Sequence, residues 1–187
     1  MKKSFPALLL ALALLLSTPA QAAQEAARLR TYAGEFSDLT AASPFYDNVA
    51  ALYEYGLSNG KADGTFGLQD SLTVGQVVIF AGRVRSLCLT GDPELGPASC
   101  RAAGDSAAAP YLAYLQAEGV LGTELDEALP QAATRAQVAH VLAGALPEEL
   151  LPRVNDQLVT QGYATRRHIS DVDAYTPYYQ DILDLYR

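Results

Sequence analysis

Arg135 stands between Thr134 and Ala136-Gln137. The T-x-x-Q spacing is a capping box, in which the threonine hydroxyl accepts from the third helical amide and the glutamine side chain returns to the cap amide. It predicts a helix beginning at Arg135, with a guanidinium set beside the partial positive charge of a helix N-terminus. A guanidinium offers paired donors that match a carboxylate, so the pattern can grip an anionic group. The same pattern also describes a solvated arginine on an ordinary capped helix. Tyr46, Tyr178 and Tyr179 offer ring faces that stack on sugars or pack between elements with their hydroxyls in water. Asp38 and Asp171 precede helical patterns, where a carboxylate holds a ligand hydroxyl or, more simply, caps a loop. Lys61 adds a positive charge that either serves a site or stays solvated.

Other chemistry finds little support. His140 falls mid-helix and His168 lies beside Arg166 and Arg167, and neither has the sequence neighbours that a metal or catalytic site requires. Nucleophile elbow, phosphate loop and H-E-x-x-H are all absent from the sequence, as is a candidate carboxylate pair for glycan hydrolysis. The expectation is a non-enzymatic protein without metal or cofactor. Cys88 and Cys100 bracket a turn-rich loop. In an exported protein they are expected to form a disulfide, stabilising by roughly 3 kcal/mol in the chain-entropy model, and otherwise to remain thiols.

The elements that position these residues come from an internal repeat. Residues 36–54 align without a gap to residues 169–187, and seven of the 19 pairs are identical, including Asp38/Asp171, Pro44/Pro177, Tyr46/Tyr179 and Leu52/Leu185. A second copy is more worn: Pro110 to Gly122 follows Asp47 to Asn59, with Leu52 on Leu115 and Gly56 on Gly119. Each of these first helices is expected to stop at its glycine, in the left-handed position that follows a helix. A second helix follows in both copies, opened by Thr73-Val74-Gly75-Gln76 and Thr134-Arg135-Ala136-Gln137. Val77, Phe80, Ala81 and Val84 in one, and Val138, Val141, Leu142 and Ala145 in the other, recur at helical spacing, so the two helices are expected to pack by the same face. Asp63-Gly64 between the helices of copy one predicts a tight turn. The third copy is expected to hold only its first helix, leaving Ile182, Leu185 and Tyr186 to dock on a neighbouring repeat or fray.

The first residues have the three-part form of a secretory signal peptide: Lys2 and Lys3, an apolar run from Phe5 to Leu16, and Ala20-Gln21-Ala22. Cleavage is expected after Ala22, with no later membrane segment. Removing residues 1–22 takes two lysines from 13 basic residues and leaves 11 against 21 acidic ones, a formal −10. Such a surface argues against nucleic acid as a partner, so an anionic ligand must be held locally by particular cations.

Phe36-Ser37-Asp38-Leu39, Tyr46, Gly56-Leu57-Ser58-Asn59-Gly60, Gly64-Thr65-Phe66, Thr134-Arg135-Ala136-Gln137, Ile169-Ser170-Asp171-Val172 and Tyr178-Tyr179, in that order, resemble the S-layer homology family of bacterial cell-surface modules. The resemblance implies a mainly α fold of helix-loop-helix repeats about a pseudo-threefold axis, here with an incomplete third repeat. It also implies noncovalent attachment of a secreted protein at the cell wall, through secondary cell-wall polysaccharide often bearing an acidic pyruvyl ketal. On that basis the candidate carbohydrate-binding residues are Arg135, as the carboxylate anchor, with Thr134, Tyr46, Asp38 and Lys61. Copy one departs from the pattern with Val74 where an arginine is expected, and copy two with Ala109 in place of the tyrosine. The expected organisation is a signal peptide at 1–22, a linker at 23–33, repeat one at 34–87, a linker loop at 88–104, repeat two at 105–147, a helical linker at 148–168 and a partial repeat three at 169–187. The alternative is a degenerate structural or protein-interaction module that has lost polysaccharide recognition.

Overall fold

The computed structural model describes residues 26–100, 106–147, 150 and 171–186. The expected signal peptide, nearly all of the expected linker at 148–168, His168, Ile169 and Ser170 lie outside the described residues. Within them the chain is mainly helical, with six helices and no strand. These are α1 (Tyr46–Glu54), α2 (Val74–Thr90), α3 (Leu95–Ala98), α4 (Ala109–Ala117), α5 (Arg135–Ala143) and α6 (Tyr179–Tyr186).

The repeat shows itself in local hydrogen bonding. At the end of α1 the Gly56 amide donates to Tyr53 O and the Leu57 amide to Leu52 O; at the end of α4 the Gly119 amide donates to Gln116 O and the Val120 amide to Leu115 O. Both ends are Schellman motifs, and Gly56 and Gly119 take φ of 71° and 70°, a region closed to most side chains. The capping boxes at Thr73 and Thr134 are both formed. The Asp63-Gly64 turn is formed too: the Gly64 amide donates to Lys61 O, and the Lys61 amide to Thr65 O at 2.8 Å.

Packing joins the helices in pairs. Helix α2 packs on α4, and α5 packs on α6. The main core gathers Val74, Val77, Val78 and Ala81 of α2, Leu112 and Leu115 of α4, and Val141 and Ala145 from α5 and just beyond it. Of the expected shared face, Val77 and Ala81 of α2 and Val138, Val141, Leu142 and Ala145 at α5 meet in this cluster, whereas Phe80 and Val84 are not part of it. Gly82 allows α2 to approach α4 closely, since a Cβ there would stand 3.1 Å from the Cβ of Tyr111. A smaller cluster of Tyr32, Phe36, Leu39 and Val49 holds α1 against its own loop through Phe66 and Leu68. Arg83 ties the two regions together: it is paired with Glu94, which also accepts from the Tyr111 hydroxyl, and it donates to Leu57 O.

Two expectations about residues 88–104 change. Helix α2 continues to Thr90 and stops at Gly91, which takes φ of 78°, and α3 then folds back on α2. The hydroxyl of Ser86, wholly buried, donates to Asp92 O and accepts from the Gly96 amide, so this corner is closed by hydrogen bonds. Cys88 and Cys100 are both free thiols, in place of the expected bridge, and burial pushes the Cys88 thiol up. Helix α6 is docked: Ile182 is buried, whereas Leu185 and Tyr186 remain exposed.

Candidate functional site

The two capped helices share a sequence pattern and differ in what covers their first turn. At α2, the Val74 amide donates to Gln131 O and the Gly75 amide to Leu129 O, both at 2.9 Å. Thr73 pairs with Ala132 in an antiparallel bridge, and the Ala133 amide donates back to Leu72 O. A Cβ at position 75 would lie 3.0 Å from the Leu129 oxygen, so glycine is what lets that carbonyl reach the helix. Val74 is 1% exposed under this segment. An arginine has no room there, and the anion-attracting helix end is already occupied by carbonyls of the protein.

At α5, Thr134 caps Gln137, and no backbone carbonyl among the described residues meets the Arg135 and Ala136 amides. The Arg135 side chain is 89% exposed, and its Nη1 lies 3.5 Å from Oδ2 of the solvated Asp171. Asp171 is the copy-three counterpart of Asp38, so α5 presents its guanidinium toward the opening of the next repeat. Tyr175, 95% exposed, lies in the same segment.

The other candidates have intramolecular partners. Asp38 accepts from the amides of Phe66, Gly67 and Leu68 at 2.7, 2.8 and 3.2 Å, and these bonds, the one from Phe66 above all, hold its carboxyl below the usual range. It folds the loop of copy one. Tyr46 is half-buried, edge-on to Tyr32. Lys61 is bonded to Asp70 at 2.7 Å and lies 3.7 Å from Asp63, and those acids keep its ammonium charge favoured. The Thr134 hydroxyl serves the cap. Of the five candidates, only Arg135 combines an exposed charge with an open helix end.

The sequence reading missed the surroundings of His140. Its Nδ1 lies 2.8 Å from Asp181 of α6, its Nε2 lies 2.9 Å from Glu124, and its ring stacks on Tyr178 with centroids 4.1 Å apart. These partners are far apart in the chain, so no local pattern could announce them. No group of residues among those described forms a metal site.

No helix among the described residues is long and apolar enough to cross a membrane. No curated protein and no solved structure matches the chain. A family model does match, over residues 35–73, from the loop before Phe36 to the cap of α2, and its description is S-layer homology domain. Residues 35–73 are thus similar to S-layer homology domains, which are generally modules that anchor proteins at the cell surface by binding cell-wall polymers.

Proposed function

We propose that this chain is a secreted cell-wall anchoring protein that holds an acidic secondary cell-wall polysaccharide at the N-terminus of α5. The observation that carries the reading is the contrast between the closed first turn of α2 and the open first turn of α5 with its exposed Arg135. A carboxylate on the polymer, such as a pyruvyl ketal, would displace Asp171 from a loose, solvated pair and take both guanidinium donors, with the helix end favouring the negative charge. Tyr175 is an exposed ring in the adjoining segment on which a sugar could stack. The chain acts by attachment rather than by catalysis.

A second reading has its own observation. Asp38, Tyr46, Lys61 and Thr134 all have structural partners, which supports a module that keeps the repeat fold for protein contacts and has lost the polymer. Co-sedimentation with wall sacculi before and after extraction of their secondary polysaccharide separates the two. Retention on intact sacculi alone is the expected result. Equal behaviour on both preparations would support the second reading.

A further inference from the structure

We infer that His140 is a protonation-dependent clasp that holds the third-copy helix α6 against α5. Both ring nitrogens face carboxylate oxygens, Asp181 Oδ2 at 2.8 Å and Glu124 Oε1 at 2.9 Å. A carboxylate only accepts, so satisfying both contacts requires a proton on each nitrogen, which makes the ring an imidazolium. A neutral ring satisfies one carboxylate and turns a lone pair toward the other. The side chain is 16% exposed, so water competes weakly for the contacts.

Three separate segments meet at this ring: α5 supplies His140, α6 supplies Asp181, and the loop after α4 supplies Glu124. Tyr178 adds the stacked face. It is the one described non-glycine residue with positive φ, 59°, and its carbonyl accepts from the Ile182 amide at 3.0 Å, the first turn of α6. The residue that stacks on the imidazole is therefore the residue from which α6 begins. Backbone conformations of this kind persist where surrounding contacts over-determine them.

Helix α2 meets α5 through the shared apolar cluster, and its arginines are paired elsewhere, Arg83 with Glu94 and Arg85 with Glu118. The other acid of α6, Asp184, accepts from Gln180. Glu124 is held below the usual carboxylate range, chiefly by its bond to His140. That contribution is present above the unfolded glutamate value and is lost as pH falls through the lower folded one. A ring protonated on both nitrogens satisfies both carboxylates, whereas a neutral ring leaves a lone pair facing one of them. Loss of a ring proton, like protonation of Glu124, therefore loosens the clasp, and loosening α6 would free the segment that faces Arg135. This conclusion concerns the clasp itself and stands whether or not polymer binds there.

The test is amide exchange of Ile182 in the intact chain, corrected for intrinsic rates, at about pH 5.5 and about pH 7.5. Protection is expected to fall by about tenfold or more at the higher pH. His140→Gln and Asp181→Asn should each remove the pH dependence while the Val78 and Val141 amides stay protected as a check on the fold, and His168→Gln should retain it. Equal wild-type protection at the two pH values, or loss of the response in His168→Gln alone, would overturn the clasp.

Discussion

Val74 and Arg135 occupy the same first position of two capped helices, yet Val74 is buried beneath residues 129–133 while the Arg135 side chain projects into solvent. The same register thus gives a helix end sealed by carbonyls at α2 and, among the described residues, one that no backbone carbonyl meets at α5. The substitution at position 74 follows from packing: the peptide segment that lies over α2 excludes a long cation there. Val74→Arg is expected to destabilise the fold by several kcal/mol, as burial of an unpaired charge does, and a drop in the denaturant midpoint would show it.

The caps contribute to stability independently of any ligand. Thr134→Ala removes the hydroxyl that accepts from Gln137, and a loss of about 1 kcal/mol is expected in chemical denaturation. Thr134→Ser should recover most of it.

The two helix-ending glycines should respond unequally. An alanine at 119 meets nothing within 4 Å, so Gly119→Ala carries only the left-handed backbone penalty, about 1 to 2 kcal/mol. At 56 the added Cβ would also stand 2.9 Å from Leu29 and 3.2 Å from Pro93, so Gly56→Ala is expected to lower the melting temperature further. Equal shifts in the two melting temperatures would contradict this packing.

Asp38 links the loop of copy one to acid stability. Its folded carboxyl is depressed by the amides of residues 66–68, so its contribution is present above the unfolded aspartate value, about 3.9, and is lost as pH falls through the folded one. Asp38→Asn is expected to unfold at a lower temperature near neutral pH and to show a shallower loss between about pH 5 and pH 2. Melting curves across that range decide it.

Much of this architecture was legible because it is written locally. Thr73-x-x-Gln76, Thr134-x-x-Gln137, Gly56, Gly119 and Asp63-Gly64 each specify hydrogen bonds within a few residues, and each forms. The apolar spacing of α2 and α5 likewise led to the shared core. What was illegible depends on contacts across the chain. Nothing near Val74 reveals that Gln131 and Leu129 carbonyls will cap its helix, and nothing near His140 points to Asp181. The loop after α2 is a related case: the spacing of Cys88 and Cys100 brackets it, while the Ser86 hydroxyl, bonded to Asp92 and Gly96, closes its corner. At the candidate site, residue types together with the family resemblance selected five side chains, and only the fold distinguishes the exposed Arg135 from Asp38, whose oxygens accept three loop amides.

The central claim is that one open helix end holds the polymer, and sedimentation of Arg135→Ala with polymer-bearing sacculi tests it most directly. Loss of the paired, charge-assisted guanidinium–carboxylate contact should weaken retention by about tenfold or more, while melting temperature stays near wild type because Arg135 is solvent-exposed. Retention equal to wild type would contradict the account.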